Sequence, residues 1–325
     1  MEPIKGLHHV TAVTRDAQLN VDFYRNMLGQ RLVKKTVNFD VPDSYHLYFA
    51  DEIGKPGSVL TFFVWPNVKR GIRGNGETAA LAYNIPAGSI GFWQEYLEGH
   101  GVTVQPLEQR FGVEVLPFDD PDGMRIELVA SEASPAVDHW EAGPIPEKHA
   151  LRGFHSVTLW LDEVEPTADL LIKVMGYTLV GQEGNRYRLT GISDSLASTL
   201  DILHRPVQPE DTPDEAVFGA GSIHHIAFRM PTDEEQLEYQ SVLGGAGYSV
   251  TPVRDRKYFH SIYYHEPGGV LFEIATEPPG FAIDEPVTEL GESLKLPEWF
   301  EPNRSAIEQN LPPLTLKPIE KVGHA

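Results

Sequence analysis

Apolar and polar positions along the chain change period in a repeated order: a strand-like run, an amphipathic helix ending near glycine, then further strand-like runs. The first unit has a strand over 7–13 and a helix over 18–28, with Leu19, Phe23 and Met27 at i, i+4 and i+8 and a stop at Gly29. Its later strands lie at 45–50 and 58–65, joined by a Lys55-Pro56-Gly57 turn. The second unit predicts a strand over 79–85, a helix over 90–97 ended by Gly99 and Gly101, and strands at 113–118 and 124–129 around Pro121-Asp122-Gly123. The third opens at 154–161, runs a helix through Leu170, Leu171 and Val174 to Gly176, and closes with strands near Tyr187 and at 199–203. The fourth opens at 223–230, has a helix over 234–243 that stops at Gly244-Gly245, and closes at 261–265 and 270–275 around Pro267-Gly268-Gly269.

Each unit therefore reads β-α-β-β-β, and internal repetition becomes the organising fact. The expected class is α+β: four βαβββ modules paired into two domains, with mixed sheets curled into open cups. A polar, proline-bearing stretch supplies the boundary. The division expected is residues 1–131 for modules one and two, 132–152 as linker, 153–276 for modules three and four, and 277–325 as a C-terminal tail. The tail carries many prolines and one helical candidate at 304–311, and is expected to wrap back over the body with Trp299 and Phe300 as anchors.

Because the units are copies, equivalent positions can be compared inside the one chain. Gly6-Leu7-His8-His9-Val10-Thr11 in unit one aligns with Gly153-Phe154-His155-Ser156-Val157-Thr158 in unit three, so His9 corresponds to Ser156. His224-His225-Ile226-Ala227-Phe228 in unit four aligns with Ala79-Ala80-Leu81-Ala82-Tyr83 in unit two. The closing strands match as well, Pro267-Gly268-Gly269-Val270-Leu271-Phe272-Glu273 against Pro121-Asp122-Gly123-Met124-Arg125-Ile126-Glu127, while in unit one the same count falls on Phe62. Pairing unit one with unit four brings together His9, His225 and Glu273; pairing two with three brings together Ser156, Ala80 and Glu127. A single histidine in an apolar run is ordinarily a packing residue, but core packing gives no reason for two histidines and a carboxylate to fall at equivalent places. His9, His225 and Glu273 are therefore the expected metal ligands. Alternation along a strand turns Thr11 into the same cup as His9 and turns His8 away, with contact of His8 or His224 to the ligands as a secondary role.

Composition narrows the chemistry. Cysteine is absent from the 325 residues, so any ion is held by nitrogen and oxygen. Two imidazoles and one carboxylate leave open positions for substrate and dioxygen, the ligand set of non-haem Fe(II) oxygenases. The formal charge of −21 argues against nucleic acid or an anionic membrane as partner. The longest apolar run, residues 59–65, cannot cross a bilayer, and no secretory leader is legible, so the chain reads as a soluble, cytoplasmic protein.

These motifs, with Tyr45-His46-Leu47-Tyr48-Phe49-Ala50-Asp51, Gly54-Lys55-Pro56-Gly57 and His149-Ala150-Leu151-Arg152-Gly153-Phe154-His155, resemble the vicinal oxygen chelate superfamily, also called glyoxalase/bleomycin-resistance/dioxygenase. Within it the chain is similar to two-domain enzymes that open hydroquinones or related aromatic diols. The resemblance implies Fe(II), or Mn(II), on His9, His225 and Glu273, with O2 as co-substrate and a small aromatic diol as substrate. It also implies that Arg256 and Tyr263 lie beside the substrate, where a guanidinium can stabilise developing negative charge and a phenol can bond a ring oxygen. His224 and Thr11 join them as candidate catalytic residues. No separate organic cofactor is expected, and association into a homo-oligomer is left open.

Two other readings stand beside this one. A glyoxalase-like lyase or isomerase would use a Lewis-acid metal, with a fourth ligand where Phe62 is expected. A metal-free protein that sequesters an aromatic compound or drug in the cup would have no use for a ligand set confined to one cup.

Overall fold

A computed structural model describes residues 2–132, 138–192, 197–207 and 215–322. Unit one comprises β1 (Leu7–Thr14), α1 (Ala17–Val21) running into a π-helical turn (Asp22–Met27), β2 (Arg31–Val37), β3 (Tyr45–Ala50) and β4 (Val59–Val64). Unit two comprises β5 (Glu77–Pro86), α2 (Ile90–Gly99), β6 (Glu108–Arg110), β7 (Val113–Asp119) and β8 (Arg125–Ser131). Unit three comprises β9 (Phe154–Leu161), α3 (Glu165–Lys173), β10 (Thr178–Glu183), β11 (Arg186–Thr190) and β12 (Thr199–His204). Unit four comprises β13 (Ile223–Met230), α4 (Asp233–Gly245), β14 (Arg254–Asp255), β15 (His260–His265) and β16 (Leu271–Thr276).

The strands form two eight-stranded mixed sheets, ordered β14-β15-β16-β13-β1-β4-β3-β2 and β10-β11-β12-β9-β5-β8-β7-β6. Unit one pairs with unit four and unit two with unit three, as the internal comparison required. Each sheet draws one unit from either side of residues 132–152. Its middle is the antiparallel pairing of two opening strands, β1 with β13 and β5 with β9. Helices cover the outer faces, where Val10, Ala12, Val21, Tyr24 and Phe62 belong to one buried apolar cluster.

The π-turn corrects the helical stripe expected in unit one. The wider turn changes the phase of the side chains, leaving Leu19 49% exposed while Ala17, Val21, Phe23 and Tyr24 are buried.

Each central pairing also contains two β-bulges. The register skips between Leu7 and His9 and between Ile223 and His225, and the other sheet skips at the same places, around Ala79 and His155. A bulge leaves one residue out of the ladder and re-aims its side chain. The residue left out is His8 or His224, the first member of each doublet, and strict alternation fails at these positions.

The tail packs on unit one. The Lys34 ammonium, fully buried, donates to the Phe281 carbonyl (2.9 Å) and pairs with Asp284 (2.7 Å) and Glu285. Phe39 meets Trp299 and Phe300 edge-on at 5.7 and 6.5 Å, although Trp299 keeps 47% of its surface in solvent. The short helix α5 (Arg304–Asn310) buries Ile307. Among the described residues no helix is long and apolar enough to cross a membrane.

Candidate metal centre

At the centre of the first sheet, β1 supplies His9, β13 supplies His225 and β16 supplies Glu273. Thr11 faces His225 across β1 and β13, and Ala227 lies beside Glu273 across β13 and β16. The three candidate ligand atoms form a small triangle: Glu273 Oε2 is 2.9 Å from His225 Nε2 and 3.3 Å from His9 Nε2, and the two nitrogens are 3.4 Å apart. All three side chains are buried. Glu273 Oε2 has no hydrogen bond of acceptable geometry despite its two close nitrogens. A buried carboxylate oxygen without a hydrogen bond is costly, and three lone-pair atoms converging on one point are what a divalent ion requires. This donor set fits an ion, and it is the one such group of three among the described residues.

The surrounding hydrogen bonds are compatible with one useful set of tautomers. His9 Nδ1 lies 2.9 Å from His8 Nδ1, and His225 Nδ1 lies 2.8 Å from His224 Nδ1. If each ligand histidine donates its Nδ1–H to its neighbour, both Nε2 lone pairs are left facing the triangle. His8 can pass its own Nε2–H to the Thr276 carbonyl. The bulges make these side-by-side contacts possible, so His8 does not turn away as alternation predicted; it packs edge-on against Phe259 at 5.1 Å and supports His9.

The electrostatics agree. Burial, then the proximity of the neighbouring histidine, pushes His8 and His224 each down to about 3, so these two imidazoles are neutral; burial also lowers His225, against the opposing pull of Glu273. Burial alone would raise Glu273, but His9 and His225 outweigh it and hold the carboxyl well below the usual range. Ser261 donates its hydroxyl to Oε1, which leaves Oε2 for the shared point.

The triangle opens on a cavity of about 330 Å3 whose walls include Phe39, Phe63, Trp65 and Phe259. That is about twice the ~150 Å3 void that accommodates benzene. Of the residues expected around a substrate, Thr11, His224, Arg256 and Tyr263 all face this cavity. Arg256 donates Nε–H to the Tyr263 hydroxyl (3.1 Å) and Nη1–H to Asp40 (3.1 Å). Tyr263 stands opposite Glu273 on the neighbouring strand.

The register corrects one position. Thr11 pairs with Thr61 as Ala227 pairs with Glu273, so Thr61 rather than Phe62 stands where a fourth ligand would arise. Phe62 points to the opposite face, against Tyr24 at 4.7 Å. The turn before β4 is one residue shorter in effect than the Pro-Gly-Gly turn before β16, and counting from proline missed this.

Sequence reasoning also passed over a chain of polar side chains on the cavity wall. Tyr48 can donate to His46 Nδ1 (2.9 Å), His46 Nε2–H to Thr61 (2.8 Å), and Thr61 shares a hydrogen bond with Thr11 (2.9 Å). The alternation of Tyr45-His46-Leu47-Tyr48 was the available signal, since it puts His46 and Tyr48 on one face of β3.

With fold and site described, the class is defined: the chain belongs to the Glyoxalase/Bleomycin resistance protein/Dioxygenase superfamily, which it matches over residues 6–128 and 153–274. Among proteins it resembles, it is 44% identical over 317 residues, 97% of this chain and 98% of the other, to "Putative ring-cleaving dioxygenase MhqO" of Bacillus subtilis (strain 168). It is 37% identical over 306 residues to "Chlorohydroquinone/hydroquinone 1,2-dioxygenase" of Sphingobium indicum, covering 92% of this chain and 94% of that one. A crystal structure of a "putative dioxygenase" from Bacillus subtilis superposes with a TM-score of 0.92 at 42% identity, over 98% of this chain and 100% of the other. Glyoxalase I from Zea mays shares the fold, with a TM-score of 0.61 at 12% identity over 84% and 92% of the two chains.

Proposed function

We propose that the protein is a non-haem Fe(II) ring-cleaving dioxygenase that inserts both atoms of O2 into a hydroquinone- or catechol-type aromatic diol. The observation that carries this is the buried His9, His225 and Glu273 triangle, open on one side to an aromatic-walled cavity. Relatives with dioxygenase names, matched over nearly the whole chain, support the same reading. The donors suit manganese as well as iron.

Bound there, the ion supplies a shared site for phenolate and dioxygen and the redox capacity to join them. The chain's residues do the rest. Glu273 lowers the net charge of the centre to plus one, which suits an anionic phenolate. Phe63, Trp65 and Phe259 hold the ring and exclude water. Arg256 sets a fixed positive charge beside the oxygen that gains negative charge. Because Tyr263 accepts from Arg256, its own proton is available to an oxygen in the cavity. His224, tied through Nδ1, keeps an N–H at Nε2 that it can donate as a hydrogen bond to a ring oxygen.

Protein loaded anaerobically with Fe(II) is expected to consume O2 with hydroquinones or catechols and yield a yellow or ultraviolet-absorbing ring-opened acid. No uptake across a broad diol panel, together with turnover of a hemithioacetal, contradicts the proposal and selects the lyase.

A further inference from the structure

The two cups carry the same arginine in the same place and use it differently. Glu108 lies opposite Val115 as Arg254 lies opposite Ser261. Two residues on, Arg110 pairs with Val113, and the Arg256 N–H donates to the Phe259 carbonyl at 3.0 Å. The residue after each is the one described non-glycine in its cup with positive φ, 48° at Phe111 and 68° at Lys257.

Arg110 donates from Nε to Glu108 and from Nη1 to Glu127, both at 2.7 Å, and Glu127 is the counterpart of Glu273. Its guanidinium thus bonds Glu127 Oε2, whereas the other cup leaves Glu273 Oε2 without a hydrogen bond. Arg256 instead spends Nε on Tyr263 and Nη1 on Asp40. Pro117 occupies the place of Tyr263 beside Glu127 and offers no hydroxyl. A guanidinium with nothing else to bind takes the nearest buried carboxylate, because a charge-assisted bond there is stronger than one to a neutral group.

We propose that Asp40 is a positioning residue: it holds the Arg256 guanidinium at the cavity mouth and so keeps Glu273 available to the ion. Asp40 is itself well placed. Its N–H donates to Asn38 Oδ1 (2.9 Å), the Val41 N–H donates to the Asn38 carbonyl (3.1 Å), and Phe39 packs against Trp299. The inference rests on the metal centre proposed above but needs no turnover to be tested.

The experiment is a double-variant cycle on the full chain. Fe(II) affinity is measured anaerobically by competition with a chromogenic chelator for the wild type, Asp40→Asn, Arg256→Gln and the combination. Direct attraction between Asp40 and the ion persists whichever side chain stands at 256. Positioning through Arg256 disappears with it. The expected result is about fivefold weaker binding in Asp40→Asn, the upper end for an exposed ion pair, and less than about twofold change on adding Asp40→Asn to Arg256→Gln. Equal losses in the two backgrounds, or no loss in either, overturn the proposal. A wild type that takes up no Fe(II) overturns the metal centre as well, whereas uptake with additive effects overturns only the role of Asp40.

Discussion

The two cups share strand order, bulges and a basic residue at the rim, yet their floors differ at three of four facing positions. Where one has His9, His225, Glu273 and Thr61, the other has Ser156, Ala80, Glu127 and Asp201. In the second cup both carboxylates are neutralised by arginine, Glu127 by Arg110 at 2.7 Å and Asp201 by Arg186 and Arg188 at 3.1 and 2.8 Å. His155 still donates to or accepts from Ser156 at 2.9 Å, the same neighbour contact that His8 makes with His9. The scaffold for supporting a ligand is present in both; the full set of three ligands is present in one. One fold can thus hold a metal centre or a salt-bridged floor, and a few side chains decide which.

Glu273→Gln should have the largest effect, lowering Fe(II) affinity about a hundredfold or more, since even supporting residues contribute 10–100-fold; Glu127→Gln should leave it unchanged. Chelator competition on both variants checks this. Next come the two arginines. Arg110→Ala strands a buried carboxylate and should destabilise by about 3–5 kcal/mol in denaturant unfolding. Arg256→Ala, whose Asp40 partner is 72% exposed, should cost about 1 kcal/mol or less. Equal costs would mean that the two rims are not organised differently. His8→Ala should weaken Fe(II) binding about tenfold by freeing His9 to rotate, while His155→Ala leaves it unaltered.

A separate effect concerns pH in the second sheet. Burial pushes Glu77 up to about 7 from 4.5. Its folded form therefore binds a proton more tightly than the unfolded chain does, and stability contributed by Glu77 declines as pH rises through that interval. Glu77→Gln should flatten this slope in unfolding curves recorded between about pH 4.5 and 7.

Much of this comparison was legible because the units punctuate themselves. Pro121-Asp122-Gly123 and Pro267-Gly268-Gly269 fix the closing strands, and the doublets fix the opening ones, so His9, His225 and Glu273 could be grouped across more than 260 positions of sequence. The strands after each helix were not delineated, for a physical reason: β14 has two residues and β10 is largely exposed, so neither imposes an alternating pattern. Bulges add a residue without leaving a compositional mark, which is why His8 was expected to face away. Asp40 was invisible because its meaning depends on Arg256, which lies far away in sequence and meets it only across the cavity mouth.

The most direct test of the account is metal stoichiometry after anaerobic Fe(II) loading and desalting, measured on the wild type, His225→Ala and Ser156→Ala. The account predicts one iron per chain in the wild type, none in His225→Ala and one in Ser156→Ala. Two irons in the wild type, or equal loss in the two variants, would contradict it.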